Sequence, residues 1–307
     1  MTYPCADGRG ILLLCAFDHR DHFEGLVAEQ TATPLSRFAS VALAKELVLE
    51  ATLAVRDTAP ADQREGIGVF VDEQYGAYLA LRARAEGLVL AMPAERNGVR
   101  EFECEFGDRF AAHIDVFAPH LVKVLIRHNP EDDAALLARQ TARLRELSEW
   151  CIGSGRQLLV ELLVPALPHQ AGPGYVENRR VPLTLEALAA LAAAGIRPAV
   201  WKLEAPADPG DHGRLLDVCR GADPGVRVVV LGGGAGLSDT VDAITASAAA
   251  GSDGFAVGRT IWAEPLAAWL SGTAGRQETI ETMAERYARC IAAYREGLAR
   301  RPAEVLA

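Results

Sequence analysis

Short apolar runs alternate with longer amphipathic stretches along the chain. The runs cover residues 11–17, 67–71, 88–92, 121–126, 158–164, 199–203, 226–231 and 254–257. Each is strand-sized and rich in aliphatic and β-branched residues. Between them lie Ala-, Leu- and Arg-rich stretches, among them 35–55, 132–153, 184–194, 213–220 and 238–250, which read as helices. Strands alternating with helices imply βαβ units and a parallel sheet. Eight such strands predict a closed (β/α)8 TIM barrel, with residues 278–298 as an extra C-terminal helix packed outside it. An open doubly wound sheet often carries G-x-G-x-x-G after its first strand. Here "DHRDHF" follows the first strand and the glycine cluster "LGGGAG" follows the seventh, which suits a barrel phosphate site better. No linker, repeat or composition break divides the chain, so residues 1–307 are expected to form a single barrel domain.

Strand side chains alternate between faces. In "VWKLE", Val200, Lys202 and Glu204 share one face, and Trp201 and Leu203 the other. In "LVKVLI", Val122, Val124 and Ile126 oppose Lys123; in "LLVELLV", Val160, Leu162 and Val164 oppose Glu161. The bulky residues belong outward, under the helices. Lys123, Glu161 and Lys202 therefore face the barrel interior on the fourth, fifth and sixth strands, toward the C-terminal ends where barrel active sites lie. Only three of the 31 basic residues are lysine, and the third is Lys45. A buried ion pair is one explanation of the interior lysines, since an unpaired buried charge costs several kcal/mol. Two lysines sharing one acid would leave a surplus of positive charge, however. A desolvated lysine beside another cation has a lowered pKa and supplies the free amine for a Schiff base, a task closed to arginine.

The loops at the expected mouth add further candidates. "FDHR" ends the first strand with Asp18, His19 and Arg20; Asp72, Glu73, Gln74, Glu95 and Arg96 follow the second and third strands as candidate hydroxyl contacts, with ordinary polar loops as the alternative. Gly232, Gly233, Gly234, Gly258 and Arg259 follow the seventh and eighth, where backbone N–H groups and a guanidinium suit a phosphoryl group. The loop 165–180 is long and contains Gly and Pro, as a lid or a solvated connection would.

The chain carries a net charge of −10, which disfavours nucleic acid and anionic membranes as partners but leaves a small phosphorylated substrate open. The cysteines Cys5, Cys15, Cys104, Cys151, Cys219 and Cys290 are scattered without a C-x-x-C pair, as expected of reduced thiols in a cytoplasmic protein. The N-terminal stretch lacks a basic n-region, and no apolar run reaches membrane-spanning length. No H-x-H or H-E-x-x-H pair occurs, so neither metal nor cofactor is expected. A homo-oligomer is left open.

Taken together, "FDHR", "VDEQYG", "LAMPAE", "VKVLIRHNPE", "LLVELLVPA", "WKLE" and "FAVGRTIW" resemble the 5-dehydro-2-deoxygluconate 6-phosphate aldolase family, a domain often fused to a sugar kinase in myo-inositol catabolism. The likeness runs from about residue 11 to about residue 271, without the kinase half. That family in turn is similar to the class I tagatose 1,6-bisphosphate aldolases. The resemblance implies that Lys202 is the Schiff-base lysine, Lys123 the second lysine and Glu161 the proton-transfer group. It also implies Asp18 and Arg20 at the first strand and Gly258 and Arg259 at the phosphate. His19 stands where the tagatose enzymes usually have Gln. The substrate's carboxylate would be met by Arg20, Arg127 or His128. Two other readings stay open: a class I aldolase for another ketose phosphate, tagatose- or sulfo-sugar-like, and a sugar-phosphate-binding barrel without activity.

Overall fold

The structure, a computed structural model, describes residues 10–28 and 33–301. Cys5 and the N-terminal stretch read for a leader lie outside them. Eight parallel strands close in chain order: β1 (Leu12–Ala16), β2 (Ile67–Phe70), β3 (Val89–Pro93), β4 (Leu121–Arg127), β5 (Gln157–Leu163), β6 (Val200–Glu204), β7 (Arg227–Leu231) and β8 (Gly254–Val257). This is the expected (β/α)8 barrel. The seam is the β1–β8 pairing, with Leu13 opposite Phe255. Gly254 is required there: its φ is +149°, and a Cβ would lie 1.8 Å from the Leu12 carbonyl oxygen.

Around the barrel run α1 (Arg20–Val27), α2 (Pro34–Thr58), α3 (Glu73–Ala85), α4 (Phe110–Phe117), α5 (Ala134–Gly153), α6 (Arg180–Ala193), α7 (Asp211–Ala222), α8 (Leu237–Ala250), α9 (Arg259–Leu270) and α10 (Arg276–Ala299). Local chemistry starts several of them. The Thr33 hydroxyl accepts from the Ser36 N–H with Pro34 at the first helical position; Asp72 caps α3 through the Tyr75 N–H; Asp133 caps α5 through the Leu136 N–H. The periodicity reading did not resolve α1, α3, α4 and α9, which are short or begin inside candidate-site loops. The segment 165–180 closes with a π-turn, Tyr175–Arg179, leading into α6. No helix among the described residues is long and apolar enough to cross a membrane.

Side chains alternate between the two faces along the strands that carry the lysines. Val122, Val124, Ile126, Val160, Leu162, Trp201 and Leu203 pack outward in one core with α5, α6 and α7. A second core joins β1–β3 to α2, α3, α9 and α10. The lower barrel interior is filled by apolar side chains, among them Leu14, Phe70, Leu121, Leu159, Val200 and Val229. That apolar plug excludes water from below and forms the floor on which the charged upper layer rests.

Candidate active site

At the C-terminal end of the barrel a cavity of ≈ 360 Å³ is lined by residues within or just after seven of the eight strands. Asp18, Lys123, Glu161 and Lys202 line its base, and Gly232, Gly233, Gly234, Gly258 and Arg259 one wall; Arg20 and Arg127 also line it. A cavity of ≈ 250 Å³ at the opposite end contains no lysine among its lining residues.

The two interior lysines are 96–97 % buried, with relative exposures of 4 % for Lys123 and 3 % for Lys202. Glu161 and Lys202 are paired directly in the β5–β6 register, and Glu161 Oε1 lies 2.9 Å from Lys202 Nζ. Its other oxygen, Oε2, lies 3.3 Å from Lys123 Nζ. Lys202 Nζ also sits 4.8 Å from the centre of the Phe70 ring, so the apolar plug ends in a cation–π contact.

One expectation is overturned. The lysines do not share a single acid. Lys123 Nζ also meets Asp18 Oδ2 at 3.0 Å and Glu95 Oε1 at 2.6 Å. Three carboxylates thus surround two lysines, and the surplus charge is negative. Burial alone would lower the Lys123 pKa, but Asp18, Glu95 and Glu161 outweigh it and hold the ammonium well above its ordinary range. Repulsion between two ammonium groups therefore does not make Lys123 the neutral amine. The carboxylates respond unequally. Burial raises Asp18, yet Lys123, His19 and Lys202 bring it far below the usual carboxylate range. Burial likewise raises Glu161, and Lys202 and Lys123 bring it below that range. At Glu95 burial prevails over Lys123, so its pKa is raised.

The parity of the strands carries Asp18 and Glu95 inward. Asp18 continues Leu12, Leu14 and Ala16 past the end of β1; Glu95 continues Val89, Ala91 and Pro93 past the end of β3. Extending the two-residue alternation beyond the apolar runs is the signal that finds Glu95. The other loop acids turn elsewhere: Asp72 pairs with Lys45 outside the barrel, and Glu73 lies 3.0 Å from His113 Nδ1.

His19 lines the cavity and stacks edge-on against Trp262 at 5.7 Å. Burial pushes its pKa down to about 4, so the ring is neutral near pH 7. Arg20 is held by Glu105 at 2.7 Å and by the Glu95 carbonyl oxygen at 3.0 Å. Arg127, at the exposed end of β4, lines the cavity. His128 is not among the residues lining it: the next residue on that strand points the other way, and its ring borders a groove with Leu137 and Glu186.

The β7–β8 wall is built for close approach. Arg259, the first residue of α9, donates to the Gly233 carbonyl oxygen and to His22 Nε2, both at 3.1 Å. Gly234, with φ +79°, lets the guanidinium lie where a Cβ would be 2.7 Å from its carbon. Glycine backbone, the start of α9 and a guanidinium converge on one side of the cavity, an arrangement able to receive an anion.

Among solved structures, the chain is similar to fructose-bisphosphate aldolase from Plasmodium falciparum, with a TM-score of 0.66 and 15 % identity over 95 % of this chain and 93 % of that one. It is similar to a Schiff-base-forming fructose-1,6-bisphosphate aldolase, with a TM-score of 0.55 and 15 % identity over 89 % and 97 %. An archaeal fructose-1,6-bisphosphate aldolase, whose catalytic Lys was captured as the carbinolamine intermediate, gives a TM-score of 0.54 and 16 % identity over 88 % and 95 %. At such identities the likeness is one of fold. No curated protein matches the sequence. The family model described as "Uncharacterized protein conserved in bacteria (DUF2090)" matches residues 7–298, and the chain belongs to that family.

Proposed function

We propose that the protein is a class I aldolase that cleaves 5-dehydro-2-deoxygluconate 6-phosphate to dihydroxyacetone phosphate and malonate semialdehyde. The observation that carries this reading is Lys202: a buried amine at the base of the cavity, 2.9 Å from Glu161, with an anion-receiving wall of Gly232–Gly234 and Arg259 on the same cavity. Lys202 attacks the C5 carbonyl, and Glu161, already in contact with the amine, carries the protons that turn carbinolamine into iminium and water. The iminium draws the electron pair of the C3–C4 bond as the C3 hydroxyl loses its proton. C1–C3 leave as malonate semialdehyde, and C4–C6 remain as the enamine of dihydroxyacetone phosphate. Protonation at C4 and hydrolysis free the ketone and Lys202. The iminium is the electron sink, so this chemistry calls on no cofactor.

Arg259 and the glycines would hold the phosphoryl group. Of the three cations considered for the carboxylate, Arg20 is occupied by Glu105 and His128 borders another groove, which favours Arg127. The choice of ketose rests on the resemblance of the motifs and not on the barrel. The reading also implies a protein of the cytoplasm, where such phosphorylated intermediates are held. Borohydride reduction in the presence of dihydroxyacetone phosphate, followed by mass spectrometry, should attach a reduced three-carbon phosphate to the Lys202 peptide. Absence of an adduct, or its attachment to Lys123, would end this assignment.

A further inference from the structure

Several acids that line the cavity, Asp18, Asp21, Glu95 and Glu204, have no part in these steps, and Glu95 is set apart by its surroundings. Glu95 Oε1 is bound to Lys123 at 2.6 Å, while Glu95 Oε2 is buried without any hydrogen-bond partner. A buried carboxylate oxygen without a donor is costly, so its retention calls for an explanation. Glu95 also stands at a junction. It lines the main cavity and a side cavity of ≈ 100 Å³ that continues past Arg96, Asn97, Gly98 and Arg100, with Arg127 common to both.

Glu161 has one oxygen on each lysine. Asp18 has one oxygen on Lys123, and the other lies 3.7 Å from His19 Nδ1, too far for a hydrogen bond. Resting on the aldolase reading above, we propose that Glu95 is a further catalytic residue. Its free oxygen takes the proton from the hydroxyl of the carbon that becomes the aldehyde, and Lys123 orients the carboxylate. The O–H bond breaks toward Glu95, the oxygen lone pair forms the aldehyde C=O, and the C–C pair moves into the Lys202 iminium. Glu95 ends as a neutral carboxylic acid and returns the proton in the reverse reaction or to solvent. The departing aldehyde fragment then lies on the side-cavity side of Glu95, within the surroundings of Arg127. Its raised pKa makes Glu95 a stronger base than either neighbour.

The test separates cleavage from Schiff-base formation. Wild type and Glu95→Gln are assayed on 5-dehydro-2-deoxygluconate 6-phosphate, tagatose 1,6-bisphosphate and fructose 1,6-bisphosphate, and each is trapped with dihydroxyacetone phosphate and borohydride. Glu95→Gln should lower kcat by about 10²–10⁴-fold while the trapped yield stays near wild type. Glu95→Ala should regain at least about tenfold of the lost rate with added formate or acetate, a rescue that a purely structural role would not give. Cleavage by Glu95→Gln within about threefold of wild type, loss of trapping together with cleavage, or no rescue of Glu95→Ala would each overturn the assignment. A wild type that traps no adduct, or cleaves none of the three sugars, would overturn the aldolase reading and this proposal with it.

Discussion

Two places in the molecule bury lysine against carboxylate, one on each side of the β1–β2 wall. Outside, Lys45 on α2 donates to Asp72 and, at 2.6 Å, to the Phe17 carbonyl oxygen, with Phe23 4.5 Å beneath the ammonium. Both partners are fully buried, charges balance one to one, and the other Asp72 oxygen accepts the Tyr75 N–H. Inside, two lysines meet three carboxylates beside a cavity, and one oxygen has no donor. The outer pair is closed: it ties the ends of β1 and β2 to α2 and has nothing left to offer a substrate. The inner cluster is unbalanced and open. Burial of a lysine is therefore uninformative by itself; the charge count around it and access to a cavity separate a tie from a candidate reactive centre.

The sharpest way to break this contrast is to change the lysines in turn. Lys202→Arg keeps a cation but has no nucleophilic amine, so turnover should fall by roughly 10⁴–10⁶-fold and trapping should vanish. Substantial residual activity would reduce the inner cluster to a second tie. Lys45→Met should instead act on stability, costing about 3–5 kcal/mol because Asp72 is left charged and buried, with trapping at Lys202 preserved in the folded fraction. Adding Asp72→Asn should recover much of that loss in chemical denaturation; no recovery would mean that the pair is not the tie described.

Arg259→Ala tests the wall rather than the base. Phosphorylated substrates should bind more weakly by about 1.5–3 kcal/mol, seen as a higher KM, with trapping still possible at saturating dihydroxyacetone phosphate. An unchanged KM would remove Arg259 from the anion site. The smallest effects are those of pH on stability. Asp18 and Glu161 have folded-state pKa values below their unfolded ones, so their contribution is full above the ordinary carboxylate range and fades as pH falls through the lowered values. Glu95 is raised, so it favours the fold at low pH and loses that contribution as pH rises through its folded value. Asp18→Asn should flatten the acid side of the Tm–pH curve and Glu95→Gln the side above about pH 4, each by at most ~1.4 kcal/mol per pH unit. The opposite pairing of variant and limb would contradict the electrostatics of the cluster.

Much of this was legible in the chain. Apolar runs gave all eight strands, because parallel strands buried on both faces leave a dense signal. Alternation alone turned Lys123, Glu161 and Lys202 inward. Asp18 was seen at the mouth and Glu95 was named there as a candidate hydroxyl contact, but their contacts with Lys123 were not. Both lie one step beyond the apolar runs, where parity continues although hydrophobicity stops. Lys45 was hidden for another reason. Packed between the barrel and α10, α2 is buried on nearly all sides of its central turns, so no polar stripe marks an inward position. The direction of His128 was misjudged because it follows Arg127 immediately, and successive residues at a strand end face apart.

Helix α10 has a consequence that concerns time rather than space. The Tyr287 hydroxyl donates to the Leu13 carbonyl oxygen on β1, 274 positions earlier, and the Tyr294 hydroxyl donates to the Ser252 carbonyl oxygen just before β8. The two tyrosines thus fasten both sides of the β1–β8 seam from a single helix. On the ribosome, β1 emerges before the other strands but cannot find its second neighbour, or the helix that secures it, until β8 and α10 have been made. Through that interval the growing sheet has two unpaired edges, the feature of β-structure most prone to joining another chain. Lys123 and Lys202, carried by strands from the middle of the barrel, would then gain their closed, water-excluding floor only when β8 meets β1.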